Sequence, residues 1–239
     1  MASGAERENP VNERTDLLFG SCHALPGLAH EANASGHRWQ PDSAAMEAIV
    51  KLMFDVDGVL ADFVYGFTNT ATGLGFLKAP WTTMEQPEWD FQGLTGEQTG
   101  KIWQRIAHSF TWWTELPVMP DVTPAVIDQI NQMPCEKIFT THRSGGLPNP
   151  QYQTVRWLEM IGFKHPSVVT SKRKGEVARA LDVTHSIDDK VENANCTHWI
   201  SDALPTKSFL VDRPYNQQGR AKRVIVVKTI KEFLDAAEA

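Results

Sequence analysis

Cysteine is scarce in this chain: three in 239 residues, Cys22, Cys135 and Cys196, far apart and odd in number. That excludes a disulfide framework, offers no zinc spacing, and fits a reducing, cytoplasmic location. No apolar run approaches the roughly 20 residues that cross a bilayer, so no membrane partner is expected. The N-terminus also lacks the basic-then-apolar pattern of a secretory signal. Nor is there a surplus of positive charge. The net charge is −6, whereas an extended nucleic-acid partner requires a basic face. An acidic enzyme that acts on an anion must instead gather positive charge locally. No internal repeat is visible. What the chain does contain is a hydrophobic fraction of 41%, that of a soluble globular protein, and length for one good-sized core with a small insert. It also holds eight tryptophans, most of them between Trp81 and Trp113.

Residues 1–46 are rich in Asn, Glu, Ser, Gly and Pro without a sustained period of 2 or 3.6, and read as a flexible N-terminal extension. The remainder alternates strands and helices. Ile49–Val56 is an aliphatic run like a buried parallel strand. Thr123-Pro124 opens a helix, with Thr at the N-cap and Pro at the first helical position. Lys137–Thr140 is a strand. Asn149-Pro150 opens a helix with Val155, Leu158 and Ile161 on one face and Gly162 at its end. Ser167–Thr170, Thr184–Ile187, Ser208–Val211 and Val224–Val227 read as strands, Gly175–Leu181 as a helix, and Thr229 to Glu232 as a capping box that starts the last helix. This alternation predicts an α/β fold with a parallel sheet covered by helices on both faces. The site is then expected beyond the carboxyl ends of the strands.

Asp55 and Asp57 close the first strand. Two close carboxylates repel, and Mg2+ is the natural counter-ion where hard oxygen ligands meet phosphate. With an ordinary pKa of about 3.9, Asp55 is ionised near neutrality and can attack without a base. Asp57 can then protonate the leaving oxygen, which requires a pKa rise of roughly 3 units, or about 4 kcal/mol of environment. Gly58 permits the sharp departure from the strand that brings backbone amides near an anion.

The string Phe54-Asp55-Val56-Asp57-Gly58-Val59-Leu60-Ala61-Asp62-Phe63 resembles the first motif of the haloacid dehalogenase-like (HAD) superfamily of phosphohydrolases. Its form through Phe63 looks like the 5'(3')-deoxyribonucleotidases. Three further segments fit in order. Ile138-Phe139-Thr140-Thr141 ends in hydroxyls able to donate to a phosphoryl oxygen and resembles the second motif, with Thr140 the better match and Thr141 beside it. Lys172-Arg173-Lys174-Gly175 resembles the third. Lys174 is the better match and Lys172 the runner-up, and a cation 4 Å from an anion is worth about 4 kcal/mol at an effective dielectric near 20. Ile187-Asp188-Asp189 resembles the fourth motif, which implies Asp189 as a direct magnesium ligand and Asp188 as support, although sequence does not separate the two. The implied metal set is Asp55, Asp57, Asp188 and Asp189. Phe209 to Asn216 is also similar to bacterial and phage relatives, with a structural role expected.

The resemblance implies a Rossmann-like HAD-like core over residues 47–65 and 119–239, with a small helical cap, 66–118, inserted after the first strand. Ile102, Ile106 and Phe110 recur at helical spacing, so part of the cap's aromatic set is core. By the same resemblance Phe63, Trp103 and either Trp89 or Phe91 line a base pocket, since rings stack on flat bases. His142 and Arg143, just after the second motif, are placed to touch sugar or phosphate. The expected substrate is a small phosphate monoester, a nucleoside monophosphate. The alternatives are a sugar phosphate, another metabolite, a nucleic-acid phosphate end, or a binding protein on the same fold. A homodimer is left open.

Overall fold

A computed structural model describes residues 49–88, 90–143, 149–198 and 206–238. The expected 1–46 extension and Trp89 lie outside the described residues. The strands are β1 (Lys51–Asp55), β2 (Glu136–Thr141), β3 (Ser167–Thr170), β4 (His185–Asp188), β5 (Lys207–Val211) and β6 (Ile225–Val227). The helices are α1 (Phe63–Gly73), α2 (Gly96–Ala107), α3 (Pro124–Gln132), α4 (Pro150–Ile161), α5 (Lys174–Ala180), α6 (Val191–His198) and α7 (Ile230–Glu238). No helix among the described residues is long and apolar enough to cross a membrane.

Local signals set many of the boundaries. The Thr123 hydroxyl accepts from the Val126 amide at the start of α3, and the Asn149 side chain accepts from Gln151 at the start of α4. Gly162 ends α4 with φ of 113°, a conformation that costs a glycine little. At α7 the Thr229 hydroxyl accepts from the Glu232 amide as expected, while the Glu232 carboxylate accepts from the Lys228 amide rather than that of Thr229. In α4 the inward face carries Trp157 and Leu158, while Val155 and Ile161 are only partly buried.

The six strands form one sheet, all parallel, in the order β3-β2-β1-β4-β5-β6. Alternate residues of a strand face opposite sides, and the apolar clusters follow that alternation. Leu52, Phe54, Phe139 and Phe209 join one large cluster with residues of α3, α4 and α7. Met53 and Ile138 pack with Ala178 of α5 on the other face, where Leu210 meets Ala194 of α6. Both faces of the sheet are therefore covered. The large cluster continues without a break into Phe63, Phe67, Ile102, Ile106 and Trp113. The segment between β1 and α3 thus shares one core with the sheet, and α1 starts at Phe63, ahead of the expected cap boundary.

Strand order reverses between β1 and β4, which opens a crevice at their carboxyl ends. The pairings Asp55 with Thr140 and Phe54 with Ile187 bring the ends of β1, β2 and β4 level. Asp188, one residue past Ile187, is thereby set beside Asp55.

Candidate active site

β1 stops at Asp55, so Asp55 and Asp57 do not share a face of one strand. A tight turn carries the chain onward instead, with the amides of Leu60 and Ala61 donating to the Val56 carbonyl and Gly58 N donating to the Ala61 carbonyl. Gly58 has φ of 82°, and a Cβ there would overlap the Asp189 carboxylate and lie 2.9 Å from the Tyr215 hydroxyl. The glycine is thus required by close approach of β4's acidic end. Gly58→Ala is expected to cost about 1–2 kcal/mol for the left-handed backbone alone, and to displace Asp189. Urea denaturation and metal-dependent turnover measure the two effects. Asp62, from the same segment, is structural. It caps α1 through the Tyr65 amide and accepts from the Thr83 amide and hydroxyl at 3.0 and 2.7 Å, pinning the short turn Thr83–Glu85.

Arg143 grips Asp57 in a bidentate pair, Nε to Oδ2 at 3.0 Å and the second guanidinium nitrogen to Oδ1 at 2.6 Å. Thr141 donates to Asp57 Oδ2 at 2.7 Å. Arg143 is itself buried, donates to the Thr154 hydroxyl at 2.7 Å, and lies 4.3 Å from the centre of the Trp113 ring. Burial raises the Asp57 pKa, but the charge and hydrogen bonds of Arg143 and the Thr141 hydroxyl outweigh it and hold Asp57 below the usual carboxylate range. The expectation of an Asp57 protonated near neutrality is corrected by this pair. Thr140, the preferred match on sequence, turns its hydroxyl toward the Phe54 carbonyl at 3.4 Å, and it is Thr141 that reaches the acids.

Lys174 lies at the start of α5 with Nζ 2.6 Å from Asp55 Oδ2 and 2.7 Å from Asp188 Oδ2, while Lys172 is exposed. Asp55, Asp188 and Asp189 offer oxygens all within 4.8 Å of one another, and all three are buried. The Asp57 carboxylate, committed to Arg143 and Thr141, is not in that group. Asp188 is already satisfied, by Lys174 on Oδ2 and by the Lys190 amide and the Asn193 side chain on Oδ1. Asp189 keeps Oδ1 buried without a hydrogen-bond partner among the described residues. Three carboxylates against one ammonium leave a formal charge of −2, and an all-oxygen cluster of that charge fits a hard divalent cation.

Burial and the Asp188 charge push Asp55 well above the usual carboxylate range, against the pull of Lys174. An ionised Asp55 near neutrality therefore depends on further positive charge in the cluster. Burial first, then Asp188, push Asp189 up to about 6. Its folded state holds a proton more tightly than the unfolded chain does. That stability is complete below pH 4 or so and is lost as pH rises through 6, a change of at most about 3 kcal/mol. Chelator-treated protein is thus expected to melt lower at pH 8 than at pH 5, and a divalent cation to raise Tm more at pH 8. Calorimetry at both pH values checks this.

A cavity of about 500 Å³ opens onto these groups, lined by Asp55, Asp57, Arg143 and Lys174 and by the rings of Phe63, Trp103 and Trp113. Phe63 is parallel to within 24° to Trp103 and 14° to Trp113, with ring centres 5.9 and 6.1 Å away. Trp103 stays 44% exposed. Phe91 does not line this cavity but stacks on Phe67 at 4.1 Å as packing. Phe110, expected in the cap core, lies beyond the end of α2 and is 73% exposed. His142 also lines the cavity, its pKa held below the ordinary histidine value by partial burial and by Lys172, Lys190 and Lys174. Sequence reasoning named Arg143 without its partner and left Trp113 in a general aromatic set. The one signal for Arg143 was its place two residues past β2.

No protein-family model and no curated protein matches this sequence. Solved structures do. A dehalogenase crystallised with an intermediate complex aligns with a TM-score of 0.50 at 10% identity, over 79% of this chain and 96% of that one. A haloacid dehalogenase-like family hydrolase from Xanthomonas campestris aligns at 0.46 and 16% identity, over 80% and 95%. CbbY from Rhodobacter sphaeroides, in complex with phosphate, aligns at 0.46 and 15%, over 80% and 100%. What the dehalogenase shares with this chain is the Rossmann-like α/β fold.

Proposed function

We propose that this protein is a magnesium-dependent phosphomonoester hydrolase of the 5'(3')-deoxyribonucleotidase kind, acting on (deoxy)nucleoside monophosphates through an aspartyl-phosphate on Asp55. The observation that carries the reading is Lys174, clasped by Asp55 and Asp188 at the floor of a cavity walled by aromatic rings. Asp55 is oriented by the Val56 amide on Oδ1 at 2.7 Å and by Lys174 on Oδ2. Its carboxylate attacks phosphorus and the bond to the leaving nucleoside oxygen breaks. Mg2+ held by Asp55, Asp188 and Asp189 would supply charge neutralisation at the phosphoryl oxygens. Lys174 offsets charge at the same place.

Asp57 stands two residues beyond the nucleophile, its side chain 18% exposed toward the cavity. As a carboxylate held by Arg143 and Thr141 it is ready to take a proton from the water that cleaves the aspartyl-phosphate. To protonate the leaving oxygen in the first step it must first take up one proton from solvent water, which requires the Arg143 pair to loosen once substrate fills the cavity. Phe63, Trp103 and Trp113 provide the apolar wall for a base.

A panel of nucleoside monophosphates and sugar phosphates, assayed for phosphate release with and without Mg2+, tests the reading. At least a tenfold preference in kcat/KM for a nucleotide is expected, by the stacking contribution of about 1–3 kcal/mol per base. Trp103→Ala should raise KM for that nucleotide by about tenfold on the same basis and leave glycerol phosphate unaffected. Preference for a sugar phosphate, or turnover without metal, overturns it.

A further inference from the structure

The segment after β5 takes no part in the mechanism above, yet it reaches the reacting centre at three points. The Tyr215 hydroxyl donates to Asp189 Oδ2 at 2.6 Å. Asn216 Nδ2 donates to the Asp189 backbone carbonyl at 2.7 Å and to that of Val211 at 2.8 Å. Arg213 Nε donates to the Gly58 carbonyl at 3.0 Å, and Arg213 and Asn216 are buried. One short stretch of chain thus crosses β4 and ties the turn after β1 to the acidic end of β4.

We infer that Tyr215 is a positioning residue for the metal, occupying Asp189 Oδ2 so that only the unpartnered Oδ1 is left for a divalent cation. This rests on the metal-dependent reading of the site. A carboxylate with both oxygens open can swivel or bind through either. A short hydrogen bond to one oxygen fixes its plane and leaves one defined ligand atom. The turn leaves the carboxylate no room to swing away, since even a methyl group at Gly58 would overlap Asp189. Asn216, through the main chain of Asp189, sets the depth at which the carboxylate stands.

The test is Mg2+ binding to the full chain by titration calorimetry, for wild type and Tyr215→Phe, beside the Mg2+ dependence of aryl-phosphate hydrolysis. Loss of the hydroxyl is expected to weaken Mg2+ affinity by about 10- to 100-fold and to raise the Mg2+ concentration for half-maximal rate in step, with a smaller fall in the rate at saturating Mg2+. A purely structural tyrosine would lower Tm and leave Mg2+ affinity alone. Wild-type protein with no Mg2+ isotherm overturns the metal reading and this role with it, whereas wild-type binding with unchanged Tyr215→Phe affinity overturns the positioning role alone. Should Tyr215→Phe fail to fold, fluorine NMR of wild-type protein carrying 3-fluorotyrosine decides. The chain has three tyrosines, Tyr65, Tyr152 and Tyr215. Mg2+ is expected to shift only the Tyr215 resonance, the others being assigned through Tyr65→Phe and Tyr152→Phe. No response at Tyr215 overturns the inference.

Discussion

Asp55→Asn is expected to lower phosphate release by at least about four orders of magnitude, the scale of losing a nucleophile, while the fold survives. The amide is nearly isosteric and can still accept from the Val56 N–H at the position now 2.7 Å away. Lys174 loses one anionic partner but keeps Asp188 at 2.7 Å. Removing this carboxylate relieves both the cost of its burial and the repulsion by Asp188, which together push Asp55 above its ordinary range, so Tm should hold or rise. Phosphate release, melting temperature and acid-stable trapping of phosphoenzyme together check this. Full turnover by the variant would remove Asp55 from the mechanism. A large drop in Tm would mean that the residue is structural instead.

The second large effect is expected at Arg143. Arg143→Met leaves the partly buried Asp57 with the Thr141 hydroxyl as its remaining side-chain partner among the described residues, and breaking a buried ion pair from one side costs about 3–5 kcal/mol. Because the Asp57 side chain keeps 18% exposure, the lower end, about 3 kcal/mol, is expected. The double variant Arg143→Met with Asp57→Asn should recover most of that loss, since no unpaired charge is then left behind. Turnover of Arg143→Met should fall by about 100-fold or more, the scale of losing a general acid or base, because Asp57 loses both its orientation and the charge that holds it ionised. Chemical denaturation of the four proteins of the cycle gives the coupling energy. An Arg143→Met protein as stable as wild type would show that the pair contributes nothing.

Legibility differed from residue to residue. Buried aliphatic runs announced the strands, and the residues that end those runs, Asp55 and Asp188, carry the acids. The proline and asparagine or threonine caps of α3 and α4 were equally plain. Helix α6 left no clear mark, for its residues Val191–His198 have little amphipathic contrast. Sequence ranked Lys174 above Lys172 on likeness, but only the structure joins Lys174 to Asp55 and Asp188. Likeness ranked Thr140 above Thr141, and the structure reverses that order. They point to opposite sides of β2, and the register with β1 decides that Thr141 faces Asp57.

What the sequence determined by itself is local: where an apolar strand ends, which polar residue ends it, and which residues can turn or cap a helix. These follow from periodicity and backbone preference within a few positions. What only the tertiary structure decided is how charges are shared. Arg143 meets Asp57 across 86 residues, Lys174 meets Asp188 across 14, and Tyr215 meets Asp189 across 26. Ionisation depends on such partners and on burial, both of which fall off within a few ångströms and bear no relation to distance along the chain. Asp57 is the clearest case. Its place after β1 could be read from the sequence, while its charge state was set by an arginine that only folding brings to it.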